Sequence, residues 1–463
     1  MVRLDHASVP PEEEVTMAAS NAKQKPLPPG RFGLPWLGET FSILRDNHGF
    51  YKQRIEKYGP IFKTRLFGNS FVVFSGHEAF HAFATDDRIV RGDADPISAE
   101  QIFLNSLALI DGVEHHTRKS VMLRAVGFRS SIASYLPTMQ DLLQRTIDPW
   151  LESGTTLDVR ADLQRFAARL TGALYTGDLS EEHAAELDHH LANMRDAFMT
   201  LPIPIPGTTY GRAIAGRKRM DVIIGKALEK HRKGGYDDIV SRMIDAANDA
   251  DVPVDKLRGD IRHLIFAGQG GYFVPLTLTT MILGQHPDIM ERARAEVLDV
   301  SPDGAITMEQ IERMEYLEQI SKEVRRYFAM NSATFFGRVQ EDMEVGGYRI
   351  PKGWGAMGGI HINMRNPDVF PDPDRFDPDR FAPAREAALP PGSYVPHGDG
   401  QATHHRCPGE NIVTVAVKVY LALLLRTAEW TIPDQDLTLT NELFPLPASG
   451  LAVNFREHVA VAG

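Results

Sequence analysis

Apolar residues recur at helical spacing through the middle of the chain and at alternate positions in two shorter stretches. Leu142, Leu143, Ile147 and Leu151 are typical of the first pattern, and helical periods dominate from about Asp141 to Arg326. Leu201-Pro202-Ile203-Pro204-Ile205-Pro206-Gly207 interrupts them with a stretch no helix can hold. Earlier, the pattern predicts a helix over Phe50 to Tyr58, closed by Gly59-Pro60. The alternating segments Ile61 to Phe67 and Ser70 to Phe74 follow, joined at Gly68-Asn69 as a hairpin. Beyond Phe336 short strands and turns take over, as in Gly347 to Gly353, and Asn366 to Phe381 is rich enough in Pro and Asp to form a structured loop. A last amphipathic helix runs from Glu410 to about Leu425, ahead of a C-terminal strand region. The pattern predicts a mainly α protein with a small β-rich lobe: a flexible N-terminal arm over residues 1–27, then one domain over 28–463.

Composition narrows the function. Of 463 residues, 43% are hydrophobic and 24% charged, ordinary for a soluble globular protein. The 50 basic against 61 acidic side chains give a net charge of −11, which argues against a nucleic-acid partner. No run of about 18 apolar residues would span a membrane, and the acidic, proline-containing start does not read as a signal peptide, so a cytoplasmic location is expected. A single cysteine excludes disulfides within the chain and cysteine-cluster metal sites.

That cysteine, Cys407, sits in His404-His405-Arg406-Cys407-Pro408-Gly409-Glu410, immediately before the last helix. The first amides of a helix are unpaired donors at the positive end of its dipole, so they favour a thiolate, as does the charge of Arg406. Pro408 is well suited to a helix start. The placement points to a thiolate ligand or a nucleophile.

Pro396 to Gly400 with Cys407-Pro408-Gly409 resembles the haem-binding loop of the cytochrome P-450 superfamily, whose cysteine is the axial iron ligand. Glu323-Val324-Arg325-Arg326 is similar to that family's Glu-x-x-Arg, with both charges on one helix face. Phe376 to Phe381 resembles the segment that supplies a second arginine, Arg380, to the same structural ion network, and Gly347 to Gly353 resembles the strand and turn between them. Arg31 to Thr40 and Gly59 to Thr64 are most similar to a cyanobacterial and animal branch that hydroxylates retinoic acid, while the haem loop is closer to bacterial fatty-acid peroxygenases. The resemblance implies a haem b cofactor (iron protoporphyrin IX), with Cys407 on the iron and His115, Lys119, Arg338 and His405 near the propionates.

Two departures matter. Where the family carries Ala-Gly-x-Asp/Glu-Thr above the haem, this chain has Ala267-Gly268-Gln269-Gly270-Gly271, so glycines replace the acid and the alcohol. Gly268 to Gly271 are the catalytic candidates, and Pro275 is predicted to leave the Gly271 carbonyl free toward the pocket. In the cysteine loop Gly400 stands where the family has a phenylalanine, or His397 does if the loop is three residues longer.

The expected pocket lining is Ile102, Phe103, Leu104, Phe266, Phe273, Phe335 and Phe336, with Ile203 and Ile205 as a roof. A terpenoid, retinoid or fatty-acyl compound would suit it. The resemblance thus implies an oxidoreductase, monooxygenase or peroxygenase, acting on a small lipophilic substrate by atypical oxygen or peroxide activation. With no flavin or nucleotide-binding stretch, a separate ferredoxin and ferredoxin reductase would supply electrons, unless peroxide replaces them. A hydroperoxide isomerase would need no redox partner, and a haem-bound ligand sensor would lack turnover altogether.

Overall fold

The computed structural model describes residues 25–458 apart from positions 93, 95, 96, 198, 199, 201, 442 and 443. Most of the arm expected over 1–27, and Leu201 of the proline-interrupted stretch, lie outside the described residues. Helix α1 spans Asn47–Tyr58, three residues longer at its start than the apolar pattern suggests. The Asp46 side chain accepts from the Gly49 amide at 2.8 Å and satisfies a donor that the first helical turn cannot pair. Strands β1 (Ile61–Leu66) and β2 (Asn69–Phe74) form the hairpin, in register from Ile61 opposite Phe74 to Leu66 opposite Asn69. Strands β3 (Ile89–Val90), β4 (Gly337–Val339) and β5 (Gly355–Gly358) complete a sheet in the order β1-β2-β5-β4-β3. Between β2 and β5 the pairing is parallel; its other pairs are antiparallel.

Helices enclose the main core: α2 (Gly112–Val126), α3 (Arg129–Glu152), α4 (Val159–Thr176), α5 (Leu257–Leu283), α6 (Glu315–Phe328) and α7 (Glu410–Thr427). At 27 residues α5 is about 40 Å long at the usual rise, and it runs unbroken through Pro275. Helix α4 ends at Gly177, whose φ of 63° is the left-handed conformation that stops a helix cheaply only at glycine. Its apolar face, including Leu163, Phe166, Leu170 and Leu174, joins the core shared with α5 and α7. Burial of these faces is what holds the helices together.

A buried ion network fastens α6 to the loop after β5. Arg326 donates to both Glu323 carboxylate oxygens, at 2.7 and 2.8 Å, and to the carbonyls of Met364 and Pro373 at 3.1 and 3.0 Å. The Asp377 amide reaches Glu323 Oε1 at 2.9 Å, and Arg380 Nε lies 3.5 Å from the same oxygen. Among the described residues, no helix is long and apolar enough to cross a membrane.

Candidate active site

Cys407 lies in the turn that starts α7. Its amide donates to the His397 carbonyl at 2.8 Å, and Arg325 on α6 donates to His397 Nε2 at the same distance. His397 is therefore the residue of the loop that braces the cysteine, and Gly398 and Gly400, which follow it, have positive φ. The thiol remains accessible, yet the atoms around it push its pKa up, against the Gly409 amide and the Lys119 charge that favour the anion. The Gly409 amide at the helix start favours the anion, as the sequence suggests, and burial opposes it. Arg406 contributes little because its guanidinium is paired with Glu410 at 2.8 and 2.9 Å.

A group of basic side chains surrounds this turn. Lys119 on α2 is buried and donates to the Arg406 carbonyl. Burial lowers its pKa to about 8, with Cys407 acting in the opposite direction. His115, one turn earlier, stacks on His405 at 4.2 Å, and its buried Nε2 has no hydrogen-bond partner. Burial, then the His405 and Lys119 charges, push the His115 pKa down to about 3. His405 Nε2 donates to Asp111 at 3.0 Å. Burial raises the Asp111 pKa, but that bond and the amides of Gly92 and Arg91 outweigh it and hold the carboxyl low. Arg338 stands on β4 opposite Val90 and donates to the Gly353 carbonyl at 3.1 Å. Sequence reasoning overlooked Arg91 and Asp111, neither of which belongs to a recognisable motif.

The middle of α5 has a narrow accessible stripe, His263, Ala267 and Gly271, spaced by four residues on one face, with Gly268 beside it. A Cβ added to Gly271 would sit 3.4 Å from Val413, on α7 six residues beyond Cys407. Of the four catalytic candidates Gly268 and Gly271 lie on this accessible side, while Gln269 and Gly270 are buried, because successive helix positions turn by about 100°. Gln269 points to the opposite side, where it is fully buried, accepts from Arg195 and donates to Asp188 at 2.8 Å. Gly268 faces Tyr175 of α4 and Tyr272, whose hydroxyls are hydrogen-bonded to each other. Gly270 faces Phe444, whose ring would lie 2.3 Å from a Cβ at that position.

The pocket side chains also divide. Phe103 is the hub of an aromatic group, with ring centroids 5.5 Å from Phe266, 5.2 Å from Phe335 and 4.9 Å from His263. Arg262 holds this segment by donating to the carbonyls of Ile102 and Leu104, on either side of Phe103. Arg118 adds a bond to the Asn105 carbonyl and a buried ion pair with Asp260 at 2.8 Å, and Asp260 accepts from the Leu107 amide at 2.8 Å. Ile102 is fully buried and does not line the site; its carbonyl is bonded to Arg262. Phe336 turns away from Phe335, as adjacent residues in extended chain do, and packs at 5.0 Å on Phe71 in the sheet-side core. Phe273 lies off the accessible stripe and packs beside Phe444. Ile203 and Ile205 are 45% and 59% exposed, on the surface and not in a roof.

Several known proteins share this architecture. The chain is 31% identical to a putative cytochrome P450 120 of Synechocystis, over 94% of this chain and 98% of that protein. It is 26% identical to abscisic acid 8'-hydroxylase 1 of Oryza sativa, over 93% and 90% of the respective chains. Among solved structures, retinoic acid bound cyanobacterial CYP120A1 superimposes with a TM-score of 0.85 at 29% identity, covering 94% of this chain and 100% of the other. Cytochrome P450SP alpha shares the fold at a TM-score of 0.76 and 22% identity, over 91% and 99%. The Cytochrome P450 family matches residues 28–455, which takes in the Cys407 turn, the Glu323–Arg326 pair and the whole of α5. The chain therefore belongs to the cytochrome P450 family and is a P450-type oxidoreductase.

Proposed function

We propose that this chain binds haem b on the Cys407 thiolate and oxidises a small lipophilic substrate held between α5 and the aromatic group around Phe103. One observation carries the reading: an accessible thiol at the start of α7, with the accessible side of the middle of α5, from His263 to Gly271, meeting α7 where Gly271 lies beside Val413. The residues present fit a haem. An unpaired buried nitrogen on His115, with Lys119 and His405 beside it, suits the propionates, and Arg338 on β4 is a further cation proposed for them. An accessible thiol suits a metal, since coordination replaces its proton.

When bound, haem iron supplies the redox chemistry by which oxygen is transferred to an organic substrate. The chain does the rest. The Gly409 amide and the His397 carbonyl fix the cysteine, and the Arg325 bond to His397 holds that carbonyl in place. Glu323, Arg326 and Arg380 tie α6 to the loop after β5 as a rigid support. Phe103, Phe266 and Phe335 offer apolar faces to the substrate. At 270 and 271 there is no side chain able to pass a proton, and Phe444 fills the space beside Gly270, leaving delivery to ordered water or to the substrate itself.

That missing relay favours a second reading, turnover with a peroxide or a substrate hydroperoxide, in which the oxidant arrives already reduced. The experiment is a panel of terpenoid, retinoid and fatty-acyl compounds incubated in three ways: with ferredoxin, its reductase and oxygen; with hydrogen peroxide; and with fatty acid hydroperoxide alone. Turnover in the first supports the monooxygenase, and turnover only in the second or third supports the reading without a redox partner. Spectral shifts on binding with no product in any of them would overturn both in favour of a ligand sensor.

A further inference from the structure

His263 is a polar side chain in an apolar setting with one ring nitrogen left unbonded. It stands on the accessible stripe of α5, edge-on to Phe103 at 4.9 Å and 6.3 Å from the Phe335 ring. Its Nδ1 is buried and has no hydrogen-bond partner. An unmade bond of this kind costs about 1–3 kcal/mol, so such a group calls for a partner from outside the chain. Burial, then the positive charges of Lys119 and Arg262, push its pKa down to about 4, so the ring is neutral near pH 7. A neutral imidazole has one donor and one acceptor nitrogen and brings no charge to balance a carboxylate.

The surroundings are built to hold this ring still. Arg262, its neighbour on α5, donates to the carbonyls on both sides of Phe103, and Arg118 and Asp260 secure the same segment from α2 and α5. The aromatic walls and the imidazole are thus set relative to each other before any ligand arrives, which lowers the cost of binding.

We propose that His263 is the polar anchor of the pocket and hydrogen-bonds an uncharged oxygen, a hydroxyl or a carbonyl, of a lipophilic substrate whose apolar body packs on Phe103, Phe266 and Phe335. This rests on the function proposed above and narrows its substrate class to neutral oxygenated compounds.

The test is calorimetric binding of geraniol, geranial, geranic acid and the hydrocarbon myrcene to the haem-loaded full chain, as wild type, His263→Leu and His263→Gln. The wild type should hold the alcohol and the aldehyde about tenfold more tightly than the hydrocarbon. His263→Leu should erase that difference while leaving myrcene unchanged, and His263→Gln should restore part of it. Equal loss for the alcohol and the hydrocarbon would make His263 a packing residue and overturn the proposal. So would a loss confined to geranic acid, or no preference in the wild type. Should the full chain take up no haem, the same titrations are run on it without haem, and a His263-dependent preference there would sink the haem reading and leave the anchor standing.

Discussion

The ring of Phe444 lies on Gly270, with Cζ 2.3 Å from where a Cβ at that position would begin. Glycine at 270 is thus a steric requirement of the loop that carries Phe444, besides being the loss of an acid. Gly270→Ala should destabilise the protein by about 1–3 kcal/mol, the usual cost of overpacking. Phe444→Ala should relieve most of that, giving a large coupling in a double-mutant cycle of unfolding free energies. Additive effects would mean that the two residues do not share this space.

A second prediction concerns the segment bearing Phe103. The Leu107 amide and the Arg118 guanidinium both depend on Asp260, which is fully buried. Removing one partner of such a pair costs about 3–5 kcal/mol because the other charge is left uncompensated. Asp260→Ala should lower stability by that order and raise hydrogen exchange at the Leu107 amide more than in α7. Unchanged exchange there would show that Arg262 alone is sufficient to hold the segment.

Acid sensitivity should trace in part to Glu39. Its carboxylate accepts from Arg54 at 2.7 and 3.0 Å, from Arg31 at 2.7 Å and from the Thr64 hydroxyl at 2.8 Å. Burial raises its pKa, but these bonds together outweigh it and set the folded value below 4.5. A carboxyl depressed in the folded state stabilises fully above its unfolded pKa, and that stabilisation disappears as pH falls through the folded one. Unfolding midpoints should therefore drop as pH decreases below about 4.5, and Glu39→Gln should be less stable at pH 7 yet show a shallower decline in acid. An identical decline would assign the effect to other carboxylates.

Much of this site could be read from the chain because its parts are local. The Cys407 turn precedes a helix that begins where expected, at Glu410, and the Glu323–Arg326 spacing fixes a shared helix face. What the motif could not give was direction. Gln269 occupies the family's motif yet faces Arg195 and Asp188, on the far side of α5. Counting back from Gly271 by fours reaches Ala267 and His263, so the helical period held the signal for His263, unused. Phe444 was beyond reach: it comes from a proline-flanked loop far along the chain, and nothing local ties it to Gly270. Phe336 failed for a simple reason, since neighbours in extended chain point opposite ways and only one of Phe335 and Phe336 can face the pocket.

Replacing Arg326 probes the support beneath the cysteine. Its side chain is fully buried and bonded to Glu323 and to two loop carbonyls within 3.1 Å. Arg326→Lys keeps the charge but not the planar fork that reaches both carboxylate oxygens. It should reduce folded, haem-containing protein sharply, read as the ratio of Soret to protein absorbance after purification. An unchanged ratio would show that the network is dispensable.

The most direct test of the central claim is the absorption spectrum of the reduced protein under carbon monoxide. The wild type should show the red-shifted Soret band of a thiolate-ligated haem, and Cys407→Ala should lose it. Absence of that band in the wild type, or its survival in Cys407→Ala, would contradict the assignment of Cys407 as the iron ligand.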